Sequence, residues 1–144
     1  MTNRIEHTDT EARESDDLAI KTVIAKFVNA FCRGDVDAIE PLFTPDAVVY
    51  PSNDRDRVGW SDIADYWAKP FESLVIRLRV DIQNLSIRDD LAVAEMMTFA
   101  DVAPKCGGDT TSKQYRDMVV LRKLNGSWRI HRNLSQSYPI SIDG

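Results

Sequence analysis

The side chains able to move a proton gather in the C-terminal half of the chain. In the stretch 91–102, Glu95 and Asp101 share the parity of Val93, Met97 and Phe99. On a strand every second side chain points the same way, so these five share a face. A carboxylate between methionine and phenylalanine is partly desolvated, which raises its pKa toward the range a general acid or base needs. In 114–124, Arg116, Met118 and Val120 share one face, and Tyr115, Asp117, Val119 and Leu121 share the other. In the last stretch the polar set Arg129, His131, Asn133, Ser135 and Ser137 alternates with the mostly apolar Trp128, Ile130, Leu134 and Tyr138. His131 brings an imidazole whose ordinary pKa lies near neutrality. Alternation alone reads as apolar inward and polar to water. A polar face lining a site is the other reading.

Metal and phosphate chemistry find less support. Cys32 and Cys106 are far apart and match no metal or redox spacing. A single histidine in the folded part supplies no zinc triad. "CGGD" at 106–109 lacks a following helix and the spacing of a phosphate loop. No metal and no cofactor are therefore expected. Asp46 in "TPDA" reads as a turn cap, and "RDD" at 88–90 as a solvated turn.

The elements that must position these groups follow from periodicity. A chain of 144 residues suggests one domain, and 43% hydrophobic with 28% charged residues is a globular composition. A net charge of −5 disfavours nucleic acid as the main partner. No apolar run approaches the roughly 18 residues needed to cross a bilayer, so no membrane partner is expected. "MTNRIEHTDTEARESDD" has no signal-peptide core, and a cytoplasmic protein with reduced thiols is expected. Residues 1–14 are polar and read as a mobile segment before a domain spanning 15–144. Ser15 is a good N-cap, followed by Asp16 and Asp17. Ile20, Val23, Ile24, Phe27, Val28 and Phe31 then make one apolar helical stripe, and Gly34 is placed to end it. A short second helix holds Ile39, Leu42 and Phe43. A strand covers 47–50, a polar loop follows Pro51, and Gly59 precedes a third helix with Ile63, Tyr66 and Trp67 on one side. The period then changes to two. Ile76, Leu78, Val80 and Ile82 mark a half-buried strand, followed by strands at 91–102, 114–124 and 127–138. Asn125–Gly126 between the last two is the strongest short hairpin signal. Helices grouped before strands imply an α+β fold, one curved sheet with helices on one face.

These segments, in this order, carry a resemblance. "AFCRGDVDAIEPLFTPDAVVYPS", "GWSDIADYWAKPF" and "YRDMVVLRKLNGSWRIHRNLSQSYP" together resemble the SnoaL-like branch of the NTF2-like superfamily over about residues 17–139. The resemblance implies a cone: a strongly bent antiparallel sheet around a long N-terminal helix with two shorter helices, and a pocket at the open end. It also implies a homodimer through the convex sheet face. Members include ketosteroid isomerases, polyketide cyclases, dehydratases, epoxide hydrolases and non-catalytic association domains, so the fold does not settle the function.

Carried over position by position, the resemblance disfavours ketosteroid isomerisation. Its base and its oxyanion tyrosine fall on Pro51 and Phe27, and its partner acid falls near Val120. None of these can move a proton. Dehydratase histidines are scarce, since the second histidine, His7, sits in the N-terminal segment. An Asp–Arg–Asp set from Asp101, Arg116 and Asp117 exists in composition only. The alignment turns Arg116 inward, where Glu95 on the neighbouring strand is its natural partner. It places Trp67 as an aromatic pocket residue with Trp60 and Tyr66 nearby, and directs Asn133 and Ser135, with His131, to the cavity. The expectation is a pocket for a small, largely apolar organic molecule. Glu95 or His131 carries the proton, Arg116 orients, and Asn133 and Ser135 anchor. Trp60, Tyr66, Trp67, Met97 and Phe99 form the wall, with Asp101 and Met118 beside them. Isomerisation, cyclisation, dehydration and hydrolysis stay open. So does a non-catalytic ligand-binding or association domain, in which the same groups bind a carboxylate or satisfy one another.

Overall fold

Helix α1 spans Thr2–Cys32 in the computed structural model, which describes residues 2–139, with side chains from residue 11 onward. Ser15 therefore lies inside the helix and does not cap it. Asp16 has a different use. It accepts from Trp128 Nε1 at 2.9 Å and from Lys123 Nζ at 3.0 Å, tying the helix to the last hairpin. Desolvation raises its pKa, but these two bonds outweigh that and hold the carboxyl below its usual value. The apolar stripe is buried as its spacing predicts, with Ile20 and Ile24 in the core and Val23, Phe27 and Phe31 packed against it. Gly34 ends the helix at a φ of 64°. Its N–H bonds Phe31 O at 3.0 Å, and the N–H of Asp35 bonds Ala30 O at 3.0 Å, which is the Schellman pattern.

A short helix α2 (Val36–Ile39) is capped by Asp35, whose Oδ1 accepts from Ala38 N at 3.1 Å. A 3-10 turn (Glu40–Leu42) leads into β1 (Phe43–Tyr50), which starts earlier than its apolar run suggested. The polar loop beyond holds a two-residue strand, β2 (Arg57–Val58), too short to leave a period in the sequence. Helix α3 (Trp60–Ser73) follows Gly59. Four long strands complete the chain: β3 (Leu74–Arg88), β4 (Leu91–Pro104), β5 (Thr111–Leu124) and β6 (Ser127–Ser137). Asn125 and Gly126 both take positive φ, 51° and 81°, as a two-residue type I′ hairpin turn demands.

The six strands form one sheet in the order β2-β1-β6-β5-β4-β3, antiparallel except for the β1–β6 pair. This is the α+β cone, with the helices on the concave side of a curved, open sheet. The core there is strongly aromatic. Trp67 meets Phe27, Phe31 and Phe43, each at a centroid distance of 5.6 Å. Such ring pairs add about 0.5–1.5 kcal/mol each beyond the area they bury.

One irregularity governs the site. Leading away from the Asn125–Gly126 turn, Leu121 pairs with Ile130, but Val120 pairs with Arg132. His131 is left over as a bulge. Across the other ladder, Phe43 pairs with Ile130 and Val48 with Arg132, so residues 44–47 bow out opposite His131. The two irregularities are stitched together. His131 Nδ1 lies 2.9 Å from Thr44 Oγ1 and 3.7 Å from Asp46 Oδ1, and Arg132 donates to Asp46 O at 3.2 Å.

Candidate functional site

The alternation of the sheet decides which polar groups reach the concave side. On β4 the inward residues are Met96, Thr98, Ala100 and Val102, and on β5 they are Lys113, Tyr115, Asp117 and Val119. On β6, Ile130 faces inward, the bulge intervenes, and Asn133, Ser135 and Ser137 then face inward as well. These side chains, with Phe27, Phe31, Tyr66 and Trp67 from the helices, enclose a cavity of about 370 Å3. That is within the ordinary range for a small-molecule site.

Asp117 is the carboxylate on this wall. It is only 6% exposed. Thr98 Oγ1 donates to one of its oxygens and Ser135 Oγ to the other. Burial pushes its pKa above the usual carboxylate value, and the two hydroxyl bonds offset part of that. Ser135 Oγ also lies 3.4 Å from Asn133 Oδ1. Tyr115, two residues from Asp117 on the same face, has its pKa raised by burial and by the Asp117 charge. At the rim, Ser52 Oγ accepts from Ser137 N at 3.1 Å and sits 3.0 Å from Ser137 Oγ, which closes the end of β1 onto β6. A carboxyl whose pKa is raised by burial on the wall of an apolar cavity has the chemistry of a general acid or base.

The residues expected from the sequence fall in four places. Tyr66, Trp67, Asn133 and Ser135 line the cavity. Trp60 packs on Phe43, with ring centroids 5.7 Å apart, behind the cavity wall. Glu95, Met97, Phe99 and Asp101 on β4, and Arg116 and Met118 on β5, point from the opposite, convex face. Among the described residues no ion pair joins Glu95 to Arg116, and the register sets Glu95 against Met118. Phe99 instead lies under the Arg79 guanidinium at 4.1 Å, Arg116 lies 5.6 Å from the Tyr138 ring centroid, and Asp101 accepts from Ser112 at 2.7 Å. His131 sits in the β1–β6 seam. Desolvation first, and then Arg132, hold its pKa below the ordinary value, against the opposing pull of Asp46.

The physical reason for the reversed faces is the bend of the sheet. The inside of a curved sheet, crowded by helices, takes small residues. Ala92, Ala94 and Ala100 are buried there beside Met96 and Thr98, while Val93 and Phe99 on the outer face are only half-buried and Met97, on that same face, is covered. Choosing the bulkier set as the core set therefore selects the wrong side. Asp117 was missed for a related reason. Counting from the hairpin turn without a bulge sets Ser135 opposite Arg116, and the extra residue at His131 sets it opposite Asp117. The signal available in the sequence was the inward set Val119 and Leu121, whose parity Asp117 shares. Phe27 and Pro51 do line the cavity, so its apolar groups at those two positions are real. The acid on β5 is Asp117, three residues before Val120. Among the described residues, no three His, Cys, Asp or Glu side chains gather as metal ligands would.

Comparison with known proteins agrees with this geometry. A conserved protein from Planctomyces limnophilus superposes with a TM-score of 0.82 at 21% identity, covering 88% of this chain and 99% of that one. A ketosteroid isomerase-like protein from Erwinia carotovora atroseptica gives a TM-score of 0.76 at 23% identity, covering 85% and 96%. An NTF2-like superfamily protein from Salmonella enterica gives 0.77 at 18% identity, covering 92% and 97%. At these identities the likeness speaks for the fold. No functionally curated protein matches the chain. The SnoaL-like domain family matches residues 20–141. The chain belongs to the SnoaL-like domain family.

Proposed function

We propose that this protein is an acid–base enzyme acting on a small, largely apolar organic molecule held in the concave cavity, with Asp117 as the proton carrier. The observation that carries this reading is a buried carboxyl, its pKa raised by desolvation, on the wall of a 370 Å3 apolar cavity. Asn133 and Ser135 anchor the polar end of the molecule, and Trp67 with Phe27 and Phe31 forms the apolar wall. Isomerisation, cyclisation, dehydration and hydrolysis all share the proton transfer that Asp117 supplies, and none requires a cofactor. The ketosteroid isomerase-like neighbour lends the fold and not its reaction, because Phe27 and Pro51 offer no exchangeable proton. In this reading the protein is a cytoplasmic homodimer. Support comes from two free cysteines and from an apolar patch on the convex face, where the exposed Met118 and Leu134 are paired across strands.

The test is a turnover screen over small cyclic and aromatic compounds, followed by chromatography, with wild type beside Asp117→Asn. The variant is expected to lose roughly 10²–10⁴-fold in rate while keeping its binding. Undiminished turnover in Asp117→Asn would remove Asp117 from the role. A second reading, a non-catalytic ligand-binding domain, is favoured by one observation: both Asp117 oxygens already accept hydroxyl bonds. It predicts compounds that bind and are never converted, with Asp117→Asn behaving as wild type.

A further inference from the structure

Along β5 the concave face runs from solvent into the core. Lys113 is exposed, Tyr115 is half-buried, Asp117 is 6% exposed and Val119 is buried. All four line the cavity. The strand therefore marks the depth of the cavity, with Lys113 at the mouth and Asp117 inside. The pairing agrees. Tyr115 stands opposite Ser137, the last residue of β6, so Lys113 lies past the end of that ladder. On its other side Lys113 pairs with Ala100, a further cavity residue. By the rise of a strand, Lys113 and Asp117 are about 13 Å apart along the chain.

Among the described residues, these two are the only Lys, Arg, Asp or Glu side chains that line the cavity. They are not equivalent. Burial works against a charge on Asp117, and Thr98 and Ser135 already engage its oxygens. The Lys113 ammonium has no ion pair and no hydrogen bond with any described residue. The carboxylate of Asp101 does not supply one. It leaves from the convex face of β4 and accepts from Ser112 at 2.7 Å. The chain as a whole carries a net charge of −5, but salt screens such a charge beyond about 8–10 Å. An acid group arriving at the mouth meets Lys113 first. Lysine suits that place, because its stem can lie along apolar surface while the ammonium stays in water.

We propose that Lys113 selects the ligand by its charge, and that the ligand is an apolar molecule carrying a carboxylate at the end that stays at the mouth. The apolar body runs inward from there toward Asp117. The proposal rests on the reading of the cavity as a small-molecule site and adds the chemical class that the site takes.

The experiment compares two probes of matched shape, naphthalene-2-carboxylate and naphthalene-2-carboxamide, which differ in charge. Binding is measured by calorimetry in wild type, Lys113→Met and Lys113→Glu. Lys113 is exposed, so both variants should fold, which circular dichroism checks. Wild type is expected to bind the carboxylate roughly threefold to tenfold more tightly than the carboxamide at about 0.02 M salt. That ratio should shrink toward one at about 0.5 M salt. Lys113→Met should bind the two probes equally, Lys113→Glu should prefer the carboxamide, and carboxamide affinity should be the same in all three proteins. Equal affinity for the two probes in wild type overturns the role of Lys113 and leaves the cavity reading standing. So does a carboxylate preference that survives in Lys113→Met, because the anion is then held elsewhere. Failure of both probes to bind to wild type overturns the cavity reading and the role of Lys113 with it.

Discussion

Replacing Asp117 by asparagine should change stability in a pH-dependent way, and the sign follows from its surroundings. The carboxyl is nearly inaccessible and its pKa is raised, first by desolvation, against the hydroxyl bonds from Ser135 and Thr98. In the unfolded chain it ionises near its ordinary value of 3.8. Below that value both states are protonated, and the neutral acid sits in the fold with its bonds satisfied. As pH rises, the unfolded state gives up the proton first. The folded state then binds more protons than the unfolded one, and stability falls until the pH passes the folded pKa. Each unit of upward shift removes about 1.4 kcal/mol. Asparagine has no proton to lose. At low pH it costs about 1 kcal/mol for one hydroxyl bond rearranged, and at neutral pH it escapes the desolvation of a charge. The stability of Asp117→Asn relative to wild type should therefore climb from acid to neutral pH and then level off. The assay is urea unfolding of both proteins at a series of pH values from 3.5 to 8.5. The other titrating groups, His131 included, are common to both and cancel in the difference. A difference that stays flat with pH, or that favours wild type increasingly as pH rises, would refute a desolvated Asp117.

Other outcomes follow from the same structure. His131 is held below its ordinary value of 6.5 by desolvation and Arg132, so its share of stability is present above that value and lost as pH falls through the folded pKa; His131→Asn should flatten thermal unfolding midpoints between pH 5 and 7. Deleting His131 removes the bulge but leaves Val120 opposite Arg132 and Asp117 opposite Ser135, so the variant should keep binding in the cavity and lose about 1 kcal/mol in chemical unfolding from the missing Thr44 contact. Met118→Glu with Leu134→Glu places charge on the paired apolar residues of the convex face; sedimentation should show a dimeric wild type and a monomeric, folded variant. We propose that the folding unit is residues 15–144, and removing residues 1–14 should change unfolding stability by less than about 0.5 kcal/mol, since among the described side chains of α1 residues 11–14 are exposed and the first buried one is Ile20.

Much of the architecture was readable one segment at a time. The stripe from Ile20 to Phe31, the Gly34 stop, the Asp35 cap and the Asn125–Gly126 turn are local signals, each set by a few neighbouring residues whose backbone preferences do not depend on the rest of the chain. The change of period at Leu74 separated helices from strands for the same reason. Their order was enough for the cone and for the family. The two-residue strand β2 left no such signal, because pairing with β1 defines it and not its own composition.

The site belonged to a different level. Period two says which residues share a face and never which face is inside. On β4 the concave side went to the set Ala92, Ala94, Met96, Thr98 and Ala100, smaller on average than its alternates, and this carried Glu95 and Arg116 to the convex face. On β6 a single unpaired residue, His131, changes the phase midway, so Trp128 and Ile130 fill the core while Asn133 and Ser135 also face inward. Local sequence determined the elements. The bulge, held by Thr44 and Asp46 from a strand more than eighty positions away, decided that Ser135 meets Asp117, because strand register is a property of the pairing and not of either strand alone.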